Sequence, residues 1–162
     1  MQIHNPSSAN FNKAIKAANR FISFRPRSEF EIREKLMGKF SPELVDRTAE
    51  FLKSQNKVND TLFAKYWVEK RMYSSLRSSN FIRTELVDKG LNPEIIDEAI
   101  EKIDDERVAY ISAKKTVKNF KTSQYQSFKG RVIRSLIYRG FDYTLSSKIA
   151  KQLWKETSET VT

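Results

Sequence analysis

Acid–base and metal chemistry need residue types that this chain hardly has. Its single histidine, His4, lies in a polar stretch at the start, so a histidine-dependent proton relay or metal site has no partners. There is no cysteine, which excludes disulfides and thiolate metal sites and fits a reducing compartment. No glycine-rich phosphate loop is present. The acidic pairs Asp97-Glu98 and Asp104-Asp105 lie where basic residues are not in excess, and they read as helix surface and caps rather than as half of a metal nuclease. No catalytic residue, cofactor or metal is expected. What remains is the chemistry of binding. Lys129, Arg131, Arg134 and Arg139 interleave with Tyr125, Tyr138 and Tyr143. Cations for phosphates and rings for bases are the footprint of single-strand binding, although helix packing accounts for such a pattern equally well. Arg25 and Arg27 flank Pro26 just ahead of a capped helix.

The charge is segregated. The net is +10. Residues 1–27 carry +5, 28–61 carry −1, 62–105 carry −2 and 106–156 carry +9. Solubility alone does not require such a division, so the basic ends point to a polyanion or an acidic protein surface. Hydrophobic residues are 39% and charged residues 31%, a balance that suits thin helical units with one buried stripe each. Four glycines and four prolines are too few for an all-β chain rich in tight turns. No apolar run reaches the length of a bilayer span, and the first ten residues lack the apolar core of a signal peptide. A soluble cytoplasmic protein, without membrane contact, is the expectation.

The elements that must position these side chains come as a repeat. Ile32 and Leu36, Ile82 and Leu86, and Val132 and Leu136 are each four apart, and successive pairs are 50 apart. Each pair shares one helix face. A common grammar follows: a cation (Lys39, Lys89, Arg139), a glycine in the later two copies (Gly90, Gly140) and an inward apolar residue (Phe40, Leu91, Phe141). Ser41, Asn92 or Asp142 then caps a new helix, with Pro42 or Pro93 in its first turn. Lacking a glycine between Lys39 and Phe40, the first copy should turn differently. Ser28 and Glu31 have the spacing of a capping box. A further helix precedes each pair, over about 11–24, from after Asn59-Asp60, and over about 105–120. Their expected stripes are Ala14, Ala17, Ala18, Phe21 and Ile22, then Leu62, Phe63, Tyr66, Trp67 and Lys70, then Val108, Ile111, Ala113, Val117 and Phe120.

The expected fold is therefore all-α: three tandem three-helix repeats, nine helices in an elongated, curved array. Its parts are a flexible start (1–9), repeats at 10–58, 59–104 and 105–156, and a frayed tail (157–162). Residues 119–126 form the longest loop. Leu36, Phe63, Trp67, Leu86, Leu136 and Phe141 are the expected core.

Four stretches resemble the RecX family of bacterial recombination regulators. They are Arg25-Pro-Arg-Ser-Glu29 with the helix to Leu36, Asn59-Asp60 with Phe63-Ala-Lys-Tyr-Trp-Val-Glu-Lys-Arg71, Arg83-Thr-Glu-Leu-Val-Asp-Lys-Gly90, and Arg139-Gly140-Phe141. The resemblance implies a regulator of the RecA recombinase in DNA repair and the SOS response. Such a protein lies along the RecA–DNA filament and suppresses ATP hydrolysis and strand exchange. It also implies weak non-specific DNA binding by a monomer. Arg25, Arg27, Arg71, Arg77, Arg83, Lys129, Arg131, Arg134 and Arg139 are then the candidates for RecA or DNA contact. One departure is the loop Tyr73-Ser-Ser-Leu-Arg77-Ser-Ser-Asn80, where the family more commonly has a glycine or more basic residues. The competing reading is a freestanding DNA-binding protein, such as a helix-turn-helix-like transcription factor with a recognition helix in the third copy.

Overall fold

The computed structural model describes residues 6–159, and all the regular elements among them are helices. They run α1 (Pro6–Ile22), α2 (Glu29–Leu36), α3 (Pro42–Ser54), α4 (Asp60–Ser74), α5 (Ser79–Asp88), α6 (Pro93–Ile100), α7 (Asp105–Val117), α8 (Tyr125–Tyr138) and α9 (Tyr143–Glu159). The all-α expectation holds, with three helices to each stretch of the sequence repeat. The first helix starts earlier than the sequence suggests, on Pro6, whose missing N–H costs nothing in a first turn. The last runs through 157–159. His4, with the rest of 1–5, and residues 160–162 lie outside the described residues.

The caps follow the sequence grammar closely. Ser28 and Glu31 form the complete capping box, and Ser41 accepts from the Leu44 amide. Asp142 accepts from the Leu145 amide at 2.8 Å. In the second and third copies Gly90 and Gly140 take positive φ. The amides of Leu91 and Phe141 then reach back to the carbonyls of Leu86 and Leu136 in Schellman turns. The first copy does turn differently. Gly38 supplies the positive φ one position before Lys39, and Phe40 bonds Leu36 four residues back instead of five.

Two stripes differ from expectation. Helix α4 buries Phe63, Ala64 and Trp67, while Leu62 is 54% exposed. Helix α7 buries Ala109, Ser112, Ala113 and Val117, leaves Ile111 exposed, and ends before Phe120. Alanine and serine carry little hydropathy, so periodicity is drawn toward the bulky residue next door. On α7 the inward positions hold mostly small side chains.

The chain forms two compact units. One runs to Trp67 and includes Leu86–Ala99; the other is Val68–Glu85 with Ile100 onward. In the first, α1, α2 and α3 pack on one another around Ala18, Ile32, Leu36, Val45, Leu52 and Val58. In the second, α7, α8 and α9 enclose Phe128, Val132, Leu136, Phe141, Ile149 and Leu153. Phe63, Trp67 and Leu86 are also buried.

Each unit contains the same clasp. In the first, buried Ser28 donates its hydroxyl to the Lys89 carbonyl at 2.7 Å. The next amide, of Glu29, donates to Asp60 Oδ1 at 2.8 Å. Gly90 lies against Phe30, where an added Cβ would sit 2.4 Å from the Phe30 Cβ. In the second unit buried Ser78 donates to the Gly140 carbonyl at 2.8 Å, Ser79 N–H donates to Asp105 Oδ1 at 2.8 Å, and Gly140 lies against Phe81. Ser28 and Ser78 are 50 residues apart, as are Gly90 and Gly140. The clasp joins the start of the second helix of one copy to the first helix and glycine turn of the next.

The first clasp is packed from within and holds a carboxylate among its cations. Trp67 stacks on Phe63 at 5.6 Å, and Arg25 and Lys89 lie over its ring at 5.6 and 5.4 Å. The Glu31 carboxylate accepts from Arg25 at 2.6 and 3.1 Å and from the Ser28 amide at 3.2 Å. It also pairs with Arg27 at 3.8 Å and Lys89 at 3.4 Å. Burial alone would raise the Glu31 pKa, but the Arg25 and Ser28 hydrogen bonds and the charges of Arg25 and Lys89 outweigh it and hold it below the ordinary glutamate value. Burial does win at Asp60, whose carboxyl is pushed up.

Trp67→Ala should therefore destabilise by about 3–5 kcal/mol, read from denaturant unfolding. An unchanged midpoint would show that the ring carries no packing role. Glu31→Gln should cost about 1–2 kcal/mol at neutral pH. A depressed carboxyl contributes its full stability above the unfolded-state pKa and loses it as pH falls through the folded-state value. The wild-type advantage should accordingly be intact above the ordinary glutamate range, shrink as pH falls through the depressed folded-state value and vanish below it; an advantage that persists undiminished in strong acid would contradict this.

Candidate nucleic-acid interface

The expected contact cations divide by what they touch inside the molecule. Arg25 is held by Glu31 and Trp67. Arg27 lies 3.7 Å from the Phe21 ring centre and donates to the Phe21 carbonyl. Arg71 grips Glu85 with two hydrogen bonds, at 2.7 and 2.5 Å. Arg83 is half-buried on α5. Arg77 is sandwiched between Phe81 and Tyr138, at 4.3 and 4.7 Å, and donates to the Tyr138 carbonyl. Arg139 donates to the carbonyl and hydroxyl of Ser135, one turn back. Charge that looked available in the sequence is thus largely engaged in bracing the fold.

The α8 cluster splits. At about 100° per residue, Arg131, Arg134 and Tyr138 fall within one narrow arc of α8, while Lys129 falls on the far flank. Arg131 and Arg134 are exposed, with Arg131 lying over Phe120 at 4.5 Å, and Lys129 is half-buried. Of the three tyrosines among these cations, Tyr138 is 72% exposed and Tyr143 is also open. Tyr125 turns inward to Trp154 at 5.5 Å. A strip of two arginines and one tyrosine therefore faces solvent on α8.

Beside Tyr138 the second unit opens a cavity of about 230 Å³, which Arg77, Lys115 and Arg139 line together with Ser74, Ser75 and Ser112. No carboxylate lines it. Leu76 at its edge has φ +48, a conformation that bulky residues rarely adopt. Ser112, Lys115 and the serines were not singled out from the sequence. The usable signal was there: Asp60 and Asp105 fill the same place in the two clasps, and counting on from each sets Ser112 against Trp67.

Among the described residues, no group of His, Asp, Glu or Cys is placed to hold a metal ion, and no helix is long and apolar enough to cross a membrane.

The model of the RecX first three-helix domain matches residues 14–52, and that of the second matches 59–100. The chain is 31% identical to the regulatory protein RecX of Clostridioides difficile over 86% of its own length and 68% of that protein's. It is 31% identical to that of Clostridium beijerinckii over 90% and 70%. Its fold is similar to the crystal structure of RecX from Lactobacillus salivarius, with a TM-score of 0.75 at 21% identity over 90% of this chain and 97% of the other. A second RecX crystal structure gives 0.71 at 22% identity, over 90% and 73%. Fold and sequence agree, and the chain belongs to the RecX family of regulatory proteins.

Proposed function

We propose that this chain regulates the RecA recombinase by binding the RecA–DNA filament and suppressing its ATP hydrolysis and strand exchange. Membership of the RecX family carries this reading. The protein acts as a cytoplasmic monomer, performs no catalysis of its own and binds DNA weakly. The strip of Arg131, Arg134 and Tyr138 and the carboxylate-free cavity support the last point, since both offer cations to phosphates. Inhibition requires differential affinity: the protein must bind one state of the filament better than the active one, and a contact shared equally by both states shifts nothing. Outside the cavity, Arg131 and Arg134 are the first choice for filament contact, because Arg25, Arg27 and Arg71 already have partners in the fold.

Titrated into RecA, single-stranded DNA and ATP, the protein should suppress ATP hydrolysis at or below one molecule per RecA. Unaltered hydrolysis at large excess would refute the reading, and tight sequence-selective duplex binding without RecA would favour a transcription factor instead. The double charge reversal Arg131→Glu with Arg134→Glu should weaken inhibition at an unchanged melting temperature, and Lys129→Glu on the far flank should weaken it less. Equal inhibition by the folded double variant and the wild type would remove this strip from the contact surface.

A further inference from the structure

The two clasps are built alike but filled differently. The first has a carboxylate, Glu31, among Arg25, Arg27 and Lys89, and the Trp67 ring beneath two of these cations. At the second clasp, 50 residues on, Phe81 stands where Glu31 stood, and Arg77 and Arg139 stand where Arg27 and Lys89 stood. Counted from Asp60 and Asp105, Ser112 stands in the place of Trp67. The substitution of a small hydroxyl for a large ring opens the cavity, and the loss of the carboxylate leaves its cations unneutralised. Lys115, one turn beyond Ser112, adds a further cation. Its side chain has no hydrogen bond or ion pair among the described residues. The Ser112 hydroxyl is buried, with the residue 1% exposed, and has no hydrogen-bond partner among the described residues. A buried hydroxyl of this kind in a native protein calls for an explanation. Here the residue lines a cavity that it shares with three cations, Arg77, Lys115 and Arg139.

We propose that this cavity seats one phosphate of a single-stranded nucleic-acid backbone, which brings to the second clasp the negative charge that the Glu31 carboxylate brings to the first. Lys115 and the unengaged donors of the two guanidinium groups face the charge, and Ser112 donates to a phosphate oxygen. A phosphodiester fits better than a free phosphate because the rim is aromatic. Tyr138 is 72% exposed with Arg77 on one ring face, and Tyr73 is 91% exposed beside Ser74. Open rings next to a phosphate seat are platforms for the adjoining bases. Arg131 and Arg134 extend the cationic track along α8. The proposal rests on the reading that the protein binds DNA weakly, and names the site and the strand form.

The test uses the full chain without RecA, so that its outcome is separate from filament inhibition. A fluorescein-labelled oligothymidylate is titrated by anisotropy over a range of salt concentrations. Lys115→Gln should weaken binding and flatten the slope of log affinity against log salt by about 0.7, the contribution of one single-strand phosphate. Ser112→Ala should weaken binding several-fold while its melting temperature stays equal to the wild type or rises, since the hydroxyl it removes has no partner to lose. Tyr138→Ala should weaken oligothymidylate binding while leaving the salt slope unchanged. Wild-type affinity and slope in folded Lys115→Gln and Ser112→Ala would overturn the proposal. So would preference for duplex over single strand, or saturation of the cavity by inorganic phosphate with no oligothymidylate bound. Loss of filament inhibition with single-strand binding intact would count against the proposed function and leave the phosphate seat standing.

Discussion

A buried serine hydroxyl that reaches out of its own three-helix copy holds this fold together. Ser28 and Ser78 each cap a helix within their copy, where the hydroxyl accepts from the third amide of the helix. Each then donates its proton to a carbonyl in the glycine turn of the following copy. Both lone pair and proton are used in a dry place, where an unsatisfied partner on either side would be costly. The geometry tolerates little variation. A Cβ on Gly140 would stand 2.7 Å from the Ser78 hydroxyl and from the Phe81 Cβ, so the turn must be glycine for contact as well as for its φ of +91°. This explains why compact units and sequence copies do not coincide. The middle copy gives the start of α5 to the clasp with the third copy and the turn after α5 to the clasp with the first, and its residues are shared accordingly.

Much of this was legible in the residues. Leu36, Leu86 and Leu136 mark the frame at equal spacing, and the helices, the Ser28 capping box and the glycine turns follow from local rules that act within a few residues. What lay beyond reach depends on partners distant in sequence. Ser78 reads as a loop serine, and only the fold places Gly140 against it. Helix α7 misleads for a different reason. Its inward face includes Ala109, Ser112 and Ala113, which carry little hydropathy, and the hydropathy of Ile111 points the wrong way.

Charge was the least legible property, because a formal count does not distinguish a solvated cation from an engaged one. The basic start of the chain illustrates the difference. Arg25 and Arg27 share the Glu31 carboxylate, and both also lie on aromatic rings. Partly buried pairs of this type favour a defined geometry more than they favour stability, since desolvation offsets much of the attraction. The third copy has 12 basic and three acidic residues over 106–156, so internal neutralisation is not available to most of its cations. The same architectural slot therefore holds a carboxylate among its cations in one unit, whereas cations without a carboxylate line it in the other.

Duplication followed by that divergence gives a physical route from scaffold to site. The clasp must bring a glycine turn, a helix start and a cation together for the copies to join at all. Arg77 and Arg139 are thus fixed in place by folding rather than by function: Arg77 by its two rings and the Tyr138 carbonyl, Arg139 by Ser135 and by its own carbonyl, which accepts from the Ser78 amide at 3.0 Å. A preorganised cation loses little side-chain entropy on meeting an anion. Replacing the internal carboxylate and ring by Phe81 and Ser112 is then enough to convert a self-satisfied joint into a receptive one. The strain at Leu76 has the same logic, because the left-handed residue turns the chain so that Arg77 and Ser78 enter the clasp together. An anion held there touches the parts that hold the second unit's clasp closed, which links occupancy of the cavity to the stability of that joint.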